Sequence, residues 1–198
     1  MTKATKRTRA LTGTAMLAAV ATILMYMEFP IPIMPAFIKM DISELPALIA
    51  SFAYGPLSGI AVCLIKNLIK LPSTSTAAVG ELFNFVMGAL FVGVAGIVYK
   101  KNKTRKGAII GAVAGALIMA LVSLPYNYFV VYPAYVVMYH LPLEAIIGMY
   151  QAINPNVNGL LACLVTFNVP FTFAKGMVDA LLCFLIYKPL SPILHGRK

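Results

Sequence analysis

Long apolar runs, interrupted by prolines, glycines and charged residues, set the pattern of this chain. The runs are continuously apolar rather than alternating, which is typical of helices and not of the strands of a membrane barrel. Several hold about 18 or more largely apolar residues, enough to cross a hydrocarbon core of roughly 30 Å. The pattern predicts six helices, at about residues 9–28, 44–54, 56–71, 79–99, 107–139 and 168–188.

The composition agrees with a membrane protein. The chain has 198 residues, of which 61% are hydrophobic and 11% charged, and its mean hydropathy is +0.87. A soluble domain of this size needs more polar surface. We therefore predict an all-α membrane protein, a compact bundle of six transmembrane helices forming one domain over residues 1–198. The basic N-terminus and the apolar run after it look like a signal peptide, but no convincing cleavage site follows, so we expect a retained first helix.

The basic residues indicate how the bundle is oriented. Under the positive-inside rule, clusters of lysine and arginine lie in the cytoplasm, which places both termini and the loop between helices four and five inside. The segments 29–43, 71–76 and 140–167 are then the long outer loops. This topology accounts for the net charge of +10 without nucleic acid as a partner. The clusters are Lys3, Lys6, Arg7 and Arg9; Lys100, Lys101, Lys103, Arg105 and Lys106; and Lys188, Arg197 and Lys198.

Charged side chains within the apolar helices are the first candidates for a site. Lys175 lies in PFTFAKGMVDALL, one to two turns from the predicted outer end of helix six, where an unpaired ammonium is costly. Asp179 is four residues further on, so the two could pair within the helix. Alternatively, Lys175 donates hydrogen bonds into a pocket that opens outward. For Lys66 and Lys70 we expect snorkelling to the surface, with attraction of an anionic ligand as the alternative.

Polar groups on three helices are predicted to converge at one depth. Glu81 and Asn84 lie at the outer end of helix four, Asn127 near that of helix five and Thr172 at that of helix six. Aromatic residues such as Phe171 and Tyr128 accompany them. Aromatics at this depth commonly form a membrane belt, but a few polar groups among aromatic walls also suit a planar heterocyclic ligand.

Two further observations bear on function. Ala15 and Ala19 on helix one have a spacing that lets another helix approach closely, in a partner or within this chain. The sequence contains no Walker A, GxSxG or HExxH motif and no acidic metal cluster, and its three cysteines lack metal-site spacing. A binding or transport protein without a metal or cofactor is therefore favoured over an enzyme.

Several stretches closely resemble one family over about residues 10–188. The chain resembles the riboflavin-specific S components of energy-coupling factor (ECF) transporters in FPIPIMPAFIKMDISELPALIASFAYGPLSGIAVCLIKNLIK, GELFNFVMG, YNYFVVYPAY and PFTFAKG. The resemblance implies a six-helix subunit of a prokaryotic plasma membrane that captures riboflavin, the transported ligand, from outside. It also implies a shared module of one transmembrane coupling protein and two ATPases as partner. The alternatives are an S component for a thiamine- or pyridoxine-type vitamin, or a membrane scaffold.

The resemblance also assigns residues. Asn127 and Lys175 match family positions, whereas Thr172 stands where the family has asparagine, which puts one ligand contact in doubt. The loop 29–43 is expected to close over the ligand, which makes Lys39 and Met40 candidate contacts, although pairing of Lys39 with Asp41 is favoured. Within the loop, prolines keep the chain extended and Asp41, Ser43 and Glu44 suit the start of helix two. The small residues of helix one are expected to contact the coupling protein.

Overall fold

The computed structural model describes residues 3–74 and 76–195, with side chains for 4–74 and 76–187. The side chains of Lys3, Lys188, Arg197 and Lys198, which contribute to the predicted orientation, lie outside this part, as does Ser75 of the outer loop 71–76.

The described chain is a bundle of helices with one small hairpin. The helices are α1 (Lys3–Tyr26), α2 (Glu44–Tyr54), α3 (Pro56–Lys70), α4 (Val79–Lys101), α5 (Arg105–Tyr126), α6 (Tyr132–Tyr139), α7 (Leu143–Gln151), α8 (Leu160–Cys163) and α9 (Val169–His195). The hairpin strands are β1 (Phe29–Pro30) and β2 (Lys39–Met40).

Two π-helical turns join helices into longer rods. The turn Asn127–Val131 connects α5 to α6, and the turn Leu164–Asn168 connects α8 to α9. The first rod matches the predicted helix at 107–139. The predicted start of the last helix at 168 is wrong, because the helix begins at Leu160, immediately after Gly159, whose φ of +83° suits glycine. The short helix α7 lies within the predicted outer segment 140–167.

Four helical rods are long and apolar enough to span a membrane: Ala4–Tyr26, Val79–Lys101, Arg105–Tyr139 and Leu160–Tyr187. The predicted second and third helices are present but short, with 11 residues in α2 and 15 in α3. At 1.5 Å per residue these helices are only about 16 and 22 Å long. Helix α2 packs against α1, α3, α4 and α9, and its residues Glu44–Phe52 are all buried.

Close packing of α4 on α5 depends on glycines. A Cβ atom on Gly111 would lie 2.7 Å from the Ala95 carbonyl oxygen, and one on Gly115 would clash with the Phe91 carbonyl oxygen. Small residues at these positions let the two backbones approach closely. The two helices therefore form a tightly packed wall of the bundle.

The chain leaves α1 through the predicted proline-rich loop. Strands β1 and β2 pair antiparallel, with Phe29 opposite Met40 and Pro30 opposite Lys39. Prolines cannot continue a helix and suit turns and strand ends. The expectation that they keep the whole loop extended is wrong, because two turns lie between the strands, where Met34 N–H donates to the Ile31 carbonyl at 3.0 Å and Ile38 N–H to the Pro35 carbonyl at 2.8 Å. We call the end of the bundle at which this hairpin lies the hairpin end.

Candidate functional site

A cavity of about 190 Å³ opens among the hairpin, α4, the α5–α6 rod and α9. Its residues on the rod that contains α9 follow a helical stripe from Asn168 through Thr172 and Lys175 to Asp179. Asp179 lies eleven residues after Asn168, which corresponds to about 16 Å along a helix, so the cavity extends well into the bundle. Asp179 lies at its deep end, because α9 runs away from the hairpin end.

Acidic residues are concentrated in this cavity. The chain has six acidic residues, and five of them line it: Glu28, Asp41, Glu44, Glu81 and Asp179. The sixth, Glu144, is exposed on α7. Because carboxylates are expensive in a membrane bundle unless they are paired or serve a site, this distribution marks the cavity as the candidate functional site.

Lys175 connects α9 to the segment that follows the hairpin. Its Nζ donates to Asp41 Oδ2 at 2.8 Å and lies 3.2 Å from Glu44 Oε2. The expected pair with Asp179 is wrong, since neither carboxylate oxygen of Asp179 has a hydrogen-bond partner among the described residues. The helical spacing allowed that pair, but tertiary packing brings Asp41 and Glu44 to the ammonium instead.

Two lysines on α3 also depart from expectation. Lys66 is 0% exposed and donates to Glu44 Oε1 at 2.6 Å and to the Ser43 hydroxyl. Lys70 is buried too and donates to Glu28 Oε2 at 2.6 Å. Snorkelling is therefore wrong for both, because α3 packs among α1, α2 and α4 and turns this face inward. Asp41 also accepts a hydrogen bond from the Ser43 amide at 2.9 Å, next to the start of α2. Asp41 and Glu44 therefore have two roles, since they lie at the start of α2 and also bind lysines of α9 and α3.

The hairpin contributes one lysine to the cavity. Lys39 Nζ donates to Glu28 Oε1 at 2.8 Å, so the expected pairing with Asp41 has the wrong acid, although it stays within the loop region. Burial raises the pKa of Glu28, whereas the hydrogen bonds from Lys39 and Lys70 lower it. Together the two lysines outweigh burial, so the pKa of Glu28 lies below its usual value. Of the two candidate contacts from the loop, Lys39 lines the cavity, whereas Met40 is buried and is not among the residues that line it.

Most of the other predicted residues do converge. Asn127, Asn84, Glu81, Phe171 and Thr172 line the cavity. The Asn127 side chain is buried, and its Nδ2 has no hydrogen-bond partner in the described part of the chain. Glu81 accepts from the hydroxyls of two loop residues, Thr74 at 2.7 Å and Thr76 at 2.9 Å.

Tyr128 lies outside the cavity. It is 40% exposed and contacts the exposed ring of Phe129. Adjacent helical residues point in different directions, so Tyr128 faces away when Asn127 faces inward. The sequence pattern gave the depth of this aromatic residue and not its direction.

A tyrosine network near the hairpin end was not predicted. The Tyr150 hydroxyl donates to Asn168 Oδ1 at 2.7 Å, Asn168 Nδ2 donates to the Tyr132 hydroxyl at 3.1 Å, and the two hydroxyls contact each other. Phe37 of the loop packs edge-on against Tyr132, Tyr135 and Tyr150. In the sequence, this network is visible only as the tyrosines of YPAY and GMY.

The small residues of α1 divide between two faces. Thr14 and Ala18 are buried against the bundle, whereas Ala15 and Ala19 are exposed. The pair is therefore available to a neighbouring helix in another molecule and is not covered by the described part of this chain.

Comparison with known proteins agrees with this architecture. A family profile described as "ECF transporter, substrate-specific component" matches residues 9–187. The riboflavin transporter RibU of Staphylococcus aureus is 33% identical over 91% of this chain and 89% of its own, and the riboflavin transporter FmnP of Bacillus subtilis is 33% identical over 93% of each. A solved S component of a bacterial ECF transporter superposes with a TM-score of 0.74 at 31% identity, over 95% of this chain and 98% of that one.

Proposed function

Because the chain belongs to the substrate-specific components of ECF transporters, we propose that it is the riboflavin-binding membrane subunit of such a transporter. Like its family and relatives, it is a bacterial membrane transport component and not an enzyme. In the proposed role it captures riboflavin outside the cell and releases it inside when it is coupled to an ATPase module.

The observation that carries the proposal is one cavity that combines aromatic walls with open polar groups. Phe83, Phe171 and Tyr135 supply flat apolar surface, which suits an isoalloxazine ring. The Asn127 amide lines the same cavity with no donor bond to the described residues, so a ligand can accept from it. Lys39, Asn84, Glu81, Thr172 and Lys175 complete the proposed ligand contacts, with Thr172 offering a hydroxyl in place of the family's amide.

The proposed topology has six membrane-crossing helices, with both termini in the cytoplasm and the hairpin outside. The four long rods cross alone, and α2 and α3 are the two short crossings. The short length of α2 is acceptable because neighbouring helices cover it, so little of its backbone faces lipid. The basic residues of the 100–106 loop support this orientation in the plasma membrane.

The proposed partners are a transmembrane coupling protein and two ATPase subunits. This division of labour fits a sequence that lacks a Walker A motif. Ala15 and Ala19 are the proposed contact with the coupling protein, and their exposure on α1 supports that role. Small residues there would let a helix of the coupling protein approach closely.

The experiment is a ligand measurement on purified protein. We expect the absorption bands of a flavin in fresh preparations, and quenching of riboflavin fluorescence on titration of protein freed of ligand. Thiamine and pyridoxine should not compete. Binding of one of these vitamins instead would reassign the substrate, and protein that binds none of the three would favour a scaffold.

A further inference from the structure

We propose that the basic segment 100–106 binds the phosphate groups of anionic phospholipids at the membrane surface. The segment has the sequence KKNKTRK, so five of its seven residues are cationic and none is acidic. It joins α4 to α5 at the end of the bundle opposite the hairpin end. Neither riboflavin nor the cavity takes part, and under the proposed topology these lipids belong to the inner leaflet.

The segment lies far from the carboxylates that line the cavity. Glu81 lines the cavity from the first turn of α4, and Lys101 ends this helix twenty residues later. Twenty residues of helix correspond to about 30 Å. In the described part of the chain, no carboxylate pairs with any of the five cations. Their charges are therefore available to an anion from outside the protein.

The neutral residues of the segment hold its turn together. Thr104 caps α5 by accepting from the Gly107 amide at 3.0 Å, and the Thr104 hydroxyl donates to Asn102 Oδ1 at 3.0 Å. A Cβ atom on Gly107 would clash with the Asn102 carbonyl oxygen, so the turn requires glycine there. None of the five cations takes part in these bonds, and all five are exposed. A fixed turn therefore presents the cations to their surroundings.

The packing of the helices brings the cations together. Lys100 and Lys101 lie in the last turn of α4, and Arg105 and Lys106 lie in the first turn of α5. Because α4 and α5 pack closely on each other, these four residues and Lys103 between them share one small area of surface. Such an area attracts phosphate groups more strongly than the same cations would if they were dispersed.

The depth of the cations favours a lipid headgroup over an acidic soluble protein. Exposed apolar side chains lie one helical turn away from them, at Ile97 on α4 and at Ile109 and Ile110 on α5. These isoleucines belong to rods that are long and apolar enough to span a membrane, so they face acyl chains. Cations one turn beyond such residues lie at the level of lipid phosphates. Clusters of about four to eight lysines and arginines beside a transmembrane helix are typical of anionic-lipid binding.

The absence of tryptophan from the sequence provides the experiment. A single Ile97→Trp substitution places a fluorophore at an exposed position one turn before Lys101. The full chain is reconstituted in mixed bilayers of phosphatidylglycerol and phosphatidylcholine, in which one lipid or the other carries brominated acyl chains that quench tryptophan. We expect phosphatidylglycerol to bind beside Ile97→Trp at least about threefold more strongly than phosphatidylcholine. Phe129→Trp, an exposed position near the hairpin end, is the matched control and should show no preference.

Substitutions in the segment test whether its charge causes the preference. In the Ile97→Trp protein, joint replacement Lys100→Gln, Lys101→Gln and Arg105→Gln should reduce the preference to about half or less, since three of the five cations are lost. Lys100→Arg with Lys101→Arg keeps the charge and should keep the preference. With the segment unchanged, about 1 M NaCl should also weaken the preference, because it shortens the Debye length to about 3 Å.

Three results would overturn the proposal: no preference beside Ile97→Trp, an equal preference beside Phe129→Trp, or a preference that survives the three glutamines. If gel filtration shows that the glutamine variant does not fold, the salt series decides, and a preference that 1 M NaCl leaves unchanged refutes the proposal. If Ile97→Trp does not fold, Ile109→Trp replaces it as the reporter. Absence of a lipid preference, together with loss of ATPase-module capture in the glutamine variant, would assign the segment to an acidic protein surface instead.

Discussion

The two ends of the cavity satisfy their polar groups in different ways. Near the hairpin end, Tyr132, Tyr150 and Asn168 bond to one another. At the deep end, lysines and carboxylates pair across α2, α3 and α9, while Asp179 is left without a partner in the described structure. The first arrangement is closed within the protein, and the second is partly open.

This difference separates groups that hold the fold from groups that await a ligand. A buried polar group that is fully bonded to its neighbours contributes to stability and has no donor or acceptor left for a ligand. One with an unused donor or acceptor costs free energy until a ligand supplies the missing bond. Changes in the closed sets should therefore alter stability, and changes in the open sets should alter affinity.

The largest effect is expected for Lys66→Met. This lysine is fully buried against Glu44, and removal of one partner from a buried ion pair typically costs about 3–5 kcal/mol. We expect a strongly lowered midpoint of thermal unfolding in detergent. Lys106→Met, at an exposed lysine, should leave the midpoint unchanged. Equal midpoints for Lys66→Met and the wild type would show that the pair is not structural.

Lys175→Ala should reduce riboflavin affinity most among the lysine variants that still fold. We expect at least tenfold weaker binding, about 1.4 kcal/mol, because Lys175 lines the cavity and its ammonium has three donors, of which the bond to Asp41 uses one. Titration of flavin fluorescence quenching measures this, with Lys103→Ala as the exposed control. An unchanged dissociation constant would remove Lys175 from the binding site.

Asn127→Ala tests an open group with little structural role. Because Asn127 Nδ2 has no partner in the described structure, its loss should leave the unfolding midpoint nearly unchanged. Riboflavin should bind about fivefold more weakly, since one hydrogen bond is typically worth about 1 kcal/mol. A large fall in the midpoint with unaltered affinity would place Asn127 among the structural residues.

Tyr150→Phe should have the smallest effect, and on stability alone. The hydroxyl donates to Asn168 behind the cavity wall, so its removal should cost about 1 kcal/mol of unfolding free energy and leave riboflavin affinity within twofold. Denaturation and fluorescence titration of the same preparation give both values. A larger loss of affinity than of stability would show that the closed network also positions the ligand.

The sequence allowed the long helices, the proline-rich loop and much of the site to be predicted. Apolar runs and breakers are local signals, and the depth of a residue such as Asn127 or Thr172 follows from its position in a run. Rotation about the helix axis does not follow from depth, which is why Tyr128 was placed in the site and Lys66 at the surface. The burial of Lys66 follows from the helices that cover this face of α3, and their arrangement is a tertiary feature that local spacing does not give.

Long-range pairing was also beyond the sequence. Lys175 and Asp41 are 134 residues apart in the chain. Asp179 follows Lys175 by four residues, which is the local rule for side chains that can pair on one face of a helix. The local rule is weak where tertiary partners compete for the same ammonium. Ala15 and Ala19 lie on one exposed face of α1, which their spacing of four predicts, and their contact with a partner stays a prediction.

The two π-helical turns have a consequence for how these helices could change in evolution. Each such turn places one extra residue in an otherwise α-helical rod, and one residue corresponds to about 100° of rotation. Asn127 begins the first turn and Asn168 ends the second. Deleting a single residue in either turn would return the rod to uninterrupted α-helix and shift its two halves in phase, so a length change there would redirect one half of the rod while the other keeps its packing.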